Sequence, residues 1–351
     1  MRKKVTIYDL SKAAGVSACC VSWVLRNHPR SREVGTETRE RILQIARELG
    51  YHRNQLASAT RTGNVDTIAV ILDPEYYGKA ITFIQIVAGI MLEATTFRQS
   101  IKIFPDDELE GSFQSIAENQ IDKVVMVSVD YEKRERAAEL AQQYSISLVF
   151  AYEHGHRGFP AVNVDNVEMT SKMVDYLAKQ GHVRIGLLCV PHKCHYIADR
   201  HAGYLLGMKR RALKTDKRWV FCSDDVEHSL DRLMGLPQAE RPTALVTLSD
   251  RMAARVQAYA IRNGLDFPQD LSVVGIGDTD IARQQPFPLT TMSESLVETG
   301  HLLVRLLMNG TLPLEHDEYN VYHTHAEIIE RESVCQLKAS KSRKNIPRRQ
   351  A

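Results

Sequence analysis

From about Val65 onward the chain alternates short apolar runs with longer amphipathic ones, and this alternation restricts the fold more than any other feature. TIAVILD (67–73), KVVMVSVD (123–130), SLVFAYE (147–153), RIGLLCV (184–190), TALVTLSD (243–250) and LSVVGIGD (271–278) have the length and composition of buried strands. Helically spaced stretches over 84–97, 132–144, 167–181 and 251–263 separate them. Buried strands alternating with helices satisfy both faces of a sheet only when the sheet is parallel and helices cover each side. In such sheets, ligands bind at the carboxyl ends of the strands.

A chain of 351 residues, 44% hydrophobic, has room for two or three domains. No apolar run is long enough to span a bilayer. The basic start Met1-Arg-Lys-Lys is not followed by an apolar signal core, so a cytoplasmic protein is expected. Six cysteines spread over this length read as free thiols in a reducing compartment. No Walker loop, nucleophile elbow or triad order occurs, and the lone GIG of residues 275–277 lacks the third glycine of a dinucleotide loop. No catalytic residue, cofactor or metal is expected.

The first 62 residues differ in charge from the rest. They hold twelve Lys and Arg against five Asp and Glu, so the head is +7, which leaves −5 for the remainder of a chain whose total is +2. A basic head on an acidic body suits a polyanion-binding module. Three helices are legible in it. Thr6 and Asp9 can cap a first helix that ends at Gly15, Ser17 can cap a second that runs to about Asn27, and a third runs from Thr36 to Leu49 before Gly50. In the third helix, Ile42, Ile45, Ala46 and Leu49 keep the spacing of a buried face. Two short helices joined by AGVS form a helix-turn-helix, whose second helix enters the major groove. On that helix Val21, Val24 and Leu25 share the core face, and Cys19, Ser22, Trp23 and Arg26 lie opposite. Cys19 and Cys20 diverge by about 100°, which does not suit a shared zinc or a disulfide. For Trp23 two readings stand side by side: contact with a thymine methyl or the sugar-phosphate, and packing under the following turn.

TIYDLSKAAGVSACCVSWVLRN and VGTETRERILQIARELGYHRN resemble the head of the LacI/GalR family of bacterial transcription regulators, whose pattern reads T-I-x-D-V-A-x-x-A-G-V-S-x-A-T-V-S-R-V-L-N and then L-G-Y-x-P-N. The resemblance assigns DNA contact to Thr6, Tyr8, Ser17, Ala18, Cys19, Ser22, Trp23, Arg26 and Asn27, and in the hinge to Asn54, Ala57 and Thr60. Trp23 stands where the family has an arginine, Cys20 where it has a threonine, Gly35 where it has a capping serine, and Arg53 where it has a proline. Thr60 stands at the hinge position of a wedging leucine, and threonine does not wedge. The implied operator is pseudo-palindromic double-stranded DNA, with a code that departs from the family's usual central CG.

The body continues the resemblance. VNVDNVEMTSKMVDYLAKQGHVRIGLL, DRHAGYLLGMKR, the block from RPTALVTLSD to LTTMSES, and EIIERESV follow the family in turn. The implied fold is an α-helical helix-turn-helix head (1–52), a hinge segment (53–64), a periplasmic-binding-protein-like body of two doubly wound parallel-sheet lobes (65–334) and a basic disordered tail (335–351). The resemblance further implies a homodimer and a small-molecule effector of the carbohydrate class, held between the lobes by Asp73, Tyr76, Tyr77, Glu153, His192, Arg200, Ser249, Asp250 and Asp278. Arg200 offers a planar fork to a diol or carboxylate. Arg200 and Asp250 are expected on opposite walls of the opening, with a role in affinity and none in folding. Where the family reads V-G-F-D-D this chain reads V-G-I-G-D, so Ile276 and Gly277 replace an aromatic and an acid of the cleft. CVPHKCH brings Cys189, His192, Cys194 and His195 close in sequence, but with no common zinc spacing.

Overall fold

The computed structural model describes residues 5–25, 28–51, 65–73, 81–191 and 194–337. The chain divides into two compact units, Met1–Asp66 and Thr67–Ala351. The hinge segment and the tail beyond residue 337 lie outside the described residues.

The first unit is built on α1 (Ile7–Ala14), α2 (Ala18–Leu25), a 3-10 turn (Pro29–Glu33) and α3 (Thr36–Glu48). Thr6 and Asp9 form a reciprocal capping box at the start of α1, and Gly15 closes the helix in the left-handed conformation. Ser17 Oγ accepts from the Cys20 amide and so caps α2. Leu10, Ala14, Val21, Val24, Ile42 and Ala46 form the core. Leu49 was expected on the buried face of α3 but is exposed: as the C-cap residue it lies beyond the turn that packs on α1.

The second unit is two six-stranded sheets. The first lobe takes β1 (Thr67–Leu72), α4 (Ile81–Thr96), β2 (Ser100–Pro105), α5 (Leu109–Glu118), β3 (Lys123–Val127), α6 (Tyr131–Tyr144), β4 (Ser147–Ala151) and β5 (Ala161–Val164). The second takes α7 (Asn166–Lys179), β6 (Ile185–Cys189), α8 (His195–Arg210), β7 (Val220–Cys222), α9 (Val226–Met234), β8 (Ala244–Thr247), α10 (Asp250–Arg262), β9 (Ser272–Ile276), α11 (Asp280–Arg283) and β10 (Thr291–Ser293). The chain then returns to the first lobe for α12 (Leu296–Asn309) and β11 (Val321–Thr324), and ends in the second with β12 (Glu327–Ile329). It therefore crosses between lobes three times, after β5, after β10 and after β11. The strand orders are β11-β5-β4-β3-β1-β2 and β12-β10-β9-β8-β6-β7; all pairings are parallel except β10 with β12.

The six apolar runs are β1, β3, β4, β6, β8 and β9, and all six are inner strands, as runs buried on both faces must be. In the first lobe α4 and α12 lie against each other through Gly89 and Gly300. A Cβ on Gly89 would stand 2.0 Å from the Val297 carbonyl oxygen, and one on Gly300 would stand 2.2 Å from that of Ile86.

Two expectations are corrected. Cys189 and Cys222 are not free thiols but form a disulfide. They are 33 residues apart in sequence yet face each other in register across β6 and β7, a proximity that sequence spacing does not reveal. The tail does not begin at residue 335. The Cys335 amide donates to Ser272 Oγ at 3.0 Å and the Leu337 amide to the Gln180 carbonyl at 2.8 Å, so the chain remains attached to the body through Leu337.

Candidate DNA-reading head and interlobe cleft

The outward face of α2 follows from how the helix is packed. Val21 and Val24 are buried against α1 and α3, so Cys19 and Trp23, one turn apart, point away from the core. Cys19 is exposed and Trp23 half-buried. Ser22, expected on this face, is 4% exposed. An eight-residue helix packed on two neighbours buries more than half of its circumference, and Ser22 falls within that half. Trp23 lies beside His28, with ring centroids 6.4 Å apart and planes 20° from parallel, and the Arg30 guanidinium sits 5.5 Å from its ring centre. Tyr8 is exposed on α1, and Thr6, Ser17 and Ala18 stand at the helix starts. Arg26, Asn27, Asn54, Ala57 and Thr60 lie outside the described residues, as do Tyr76, Tyr77 and His192.

Between the lobes, Arg200, Glu153, Asp250 and Asp278, all expected to hold an effector, are bonded to other groups of the protein. Arg200 on α8 is 1% exposed. Its Nε donates to Asn166 Oδ1 at 2.7 Å, its Nη1 to the Leu248 carbonyl at 3.0 Å, and its Nη2 to Tyr152 OH at 2.9 Å and to the Glu294 carboxylate. Tyr152 follows β4 in the first lobe and also donates to Glu294, which lies on the crossing after β10. The guanidinium rests over the rings of Tyr152 and Tyr196. Glu153 is wholly buried. Arg134 lies 3.6 Å from it, and across the lobe boundary it meets His195 Nδ1 at 3.2 Å and the Tyr196 amide at 3.4 Å. The hydrogen bond that its imidazole donates to Glu153 raises the His195 pKa. Beside this pair, His154 Nε2 meets Asp199 at 2.8 Å, and the His154 and His195 rings stack at 4.7 Å.

Asp250 is 1% exposed at the first position of α10, and Ser249 caps that helix. Its carboxylate accepts from the Thr279 amide and hydroxyl, each at 2.8 Å, and from the Thr291 hydroxyl. Burial raises its pKa to about 6 against these bonds. Asp278 accepts from Arg331 at 2.5 Å and Arg283 at 2.7 Å. Asp73 is half-buried at the carboxyl end of β1.

Arg200 and Asp250 therefore do not stand open on opposite walls. Both are buried and bonded within the protein, which ties them to folding. Sequence reasoning overlooked Tyr152, Asn166 and Glu294, the partners of Arg200. Glu294 lies in MSES, a stretch with no motif chemistry, and only the crossing brings it to the guanidinium. Of the CVPHKCH cluster, Cys189 is in the disulfide, Cys194 is half-buried with its pKa pushed up to about 11 by burial, and His195 is held by Glu153. Among the described residues, no group of three or more His, Cys, Asp and Glu could hold a metal, and no helix is long and apolar enough to cross a membrane.

Residues 6–54 match the family model described as bacterial regulatory proteins, lacI family, and residues 174–334 match the periplasmic binding protein-like domain. The transcriptional repressor CytR of Escherichia coli K12 is 29% identical over 321 residues, which cover 87% of this chain and 89% of CytR. Among solved structures, the Lac repressor dimer bound to operator and the anti-inducer ONPF superposes with a TM-score of 0.74 at 20% identity over 95% of this chain and all of that one. The transcriptional regulator CelR in complex with cellobiose superposes at 0.66 and 21% identity over 94% of this chain and all of that one. With its capped helix-turn-helix head and two parallel-sheet lobes, the chain belongs to the LacI family of bacterial regulatory proteins and is a DNA-binding transcriptional repressor of that family.

Proposed function

We propose that the repressor binds a pseudo-palindromic operator as a homodimer and that a small polar ligand of the carbohydrate class controls it from between the lobes. One helix-turn-helix reads one half-site, so two-fold symmetry supplies the second. An exposed apolar set on the first lobe supports the dimer: Ile84, Met91 and Leu92 on α4 and Ile103 on the edge strand β2. The observation that carries the control is the Arg200 network. It joins Tyr152 of the first lobe, Leu248 of the second and Glu294 of a crossing, so a ligand competing for the guanidinium changes how the lobes meet. Such a ligand acts only if it binds one lobe geometry better than the other. The CelR–cellobiose complex shares the fold, which supports the ligand class.

The saturation of Arg200 by Glu294 favours a second reading, in which the protein's own carboxylate takes the ligand's place and repression is independent of effector. A thermal-shift screen of the full chain against a metabolite library, followed by gel shifts with any hit, separates the two. The first reading expects a sugar or sugar derivative that raises Tm, changes operator affinity and loses its effect in Arg200→Lys, a change that keeps the charge but not the fork. A library that moves neither Tm nor DNA affinity supports the second. A hit that binds Arg200→Lys and Asp250→Asn unchanged overturns the cleft assignment.

A further inference from the structure

The described part of the reading helix, ACCVSWVL, carries no cation, although the head as a whole is strongly basic. Phosphate contacts supply most of the affinity of a DNA-binding head and fix its register on the duplex, so a cation is needed beside the helix that enters the groove. The side chain that meets this need is on the turn that follows. Arg30 is exposed, has no carboxylate partner among the described residues, and holds its guanidinium 5.5 Å from the centre of the Trp23 ring. His28 lies against the same ring and accepts from the Arg30 amide at 3.2 Å, so the backbone of the turn is fixed as well. Trp23 itself stands on the outward face of α2, one turn beyond exposed Cys19 and opposite buried Val21 and Val24. An exposed cation–π contact adds little to stability. It does restrict where a long, flexible side chain can point.

We propose that Trp23 is a positioning residue, a flat platform that holds the Arg30 guanidinium beside the outward face of α2 so that the following turn gives the DNA backbone a cation that none of Ala18–Leu25 carries. This inference rests on the DNA-binding reading and adds a division of labour to it. Trp23 lies in the carboxyl-terminal half of α2, whereas base edges are met by the amino-terminal residues of such a helix. Arg30 therefore meets phosphate, and Trp23 acts through it. The two readings of Trp23, packing under the turn and meeting the sugar-phosphate, become parts of one arrangement.

The test uses the full-length chain and an operator selected by the wild-type protein from a random duplex library. Arg30→Ala is expected to weaken binding about tenfold per head at 0.1 M salt, about equally across sequences, and to reduce the slope of log affinity against log salt by about 1 per head. Trp23→Ala should do the same, Trp23→Phe should restore most of the loss, and Trp23→Ala/Arg30→Ala should be no worse than either single change. Circular dichroism of each variant checks that the head is folded; should Trp23→Ala unfold it, Trp23→Leu, which keeps an apolar side chain without an aromatic face, and Trp23→Leu/Arg30→Ala give the coupling. Additive losses, or a salt slope unchanged in Arg30→Ala, overturn the inference and leave the DNA-binding reading intact. So does a Trp23→Ala protein that relaxes preference at one base pair while Arg30→Ala does not. A wild-type chain that enriches no duplex overturns the DNA-binding reading itself, and this inference with it.

Discussion

Asp250 shows how one buried carboxylate sets the sequence around it. Its oxygens reach the loop after β9 because no side chain is in the way: a Cβ on Gly275 would lie 2.5 Å from Oδ1. Gly277 takes φ +127°, a conformation that L side chains rarely adopt. The glycine that replaces a family acid is thus explained by the backbone it must follow. The folded pKa of Asp250, about 6, lies above the ordinary 3.8, so the folded chain keeps a proton that the unfolded chain has lost. The stability associated with that proton is present below pH 4 and is lost as pH rises to about 6, a change of about 3 kcal/mol. Asp250→Asn keeps an acceptor for the Thr279 amide without the charge. It is expected to gain on the wild type between pH 4 and pH 7, whereas Asp250→Ala leaves the amide unpaired and costs about 1–3 kcal/mol relative to Asn at pH 7. Thermal unfolding of the three proteins at both pH values checks this; an Asn variant as unstable as Ala would show that the carboxylate charge itself is required.

At the scale of the element, α4 carries two different faces. Ile86, Ile90 and Ala94 lie in the first-lobe core, and Gly89 brings the helix against α12. Ile84, Met91 and Leu92 point outward, and Leu92 is 60% exposed. Apolar side chains clustered this way mark an interaction surface rather than ordinary solvent-facing helix. Leu92→Glu adds a charge to that surface without touching the core, so the expected product is a folded monomer. Light scattering at micromolar concentration and an operator gel shift check it: the variant should scatter as one chain and lose preference for a palindrome over a single half-site. A variant that stays dimeric places the dimer contact elsewhere.

At the scale of the whole body, the lobes are held by three chain crossings and by bonds that cross between them. His195 of the second lobe meets Glu153 of the first, with Arg134 and Asp199 also facing the imidazole, and Glu153 raises its pKa above the ordinary 6.5. Protonated His195 therefore stabilises the contact between the lobes. That contribution is fully present below pH 6.5 and is lost as pH rises through the raised folded value. Buried His182 has the opposite sense: its pKa is lowered by burial, so its contribution is present above pH 6.5 and is lost as pH falls. Comparison of wild type with His195→Gln removes the His182 contribution, which both share. The expected result is a Tm advantage for wild type at pH 6 that shrinks by pH 8; a constant difference would show that His195 acts by packing alone.

The sequence by itself determined what depends on neighbours along the chain. The capping box at Thr6 and Asp9, the glycine closing α1, and the inner strands β1, β3, β4, β6, β8 and β9 are each set within about a dozen residues, where caps and periodicity act. The edge strands and the shortest inner ones were harder to read. β2 is mostly exposed, and β5, β7, β10, β11 and β12 have only three or four residues each, so their pattern carries little signal. Only the tertiary structure decided the partners. It paired Cys189 with Cys222 through strand register, buried Ser22, and set Arg30 on Trp23. It also delivered Glu294 to Arg200 by way of a crossing, so Arg200, which the resemblance assigned to a ligand, is bonded to the protein's own carboxylate. The physical reason is that a buried charge must find an opposite charge or donor wherever the fold brings one near, and that distance in space is not written in the spacing along the chain.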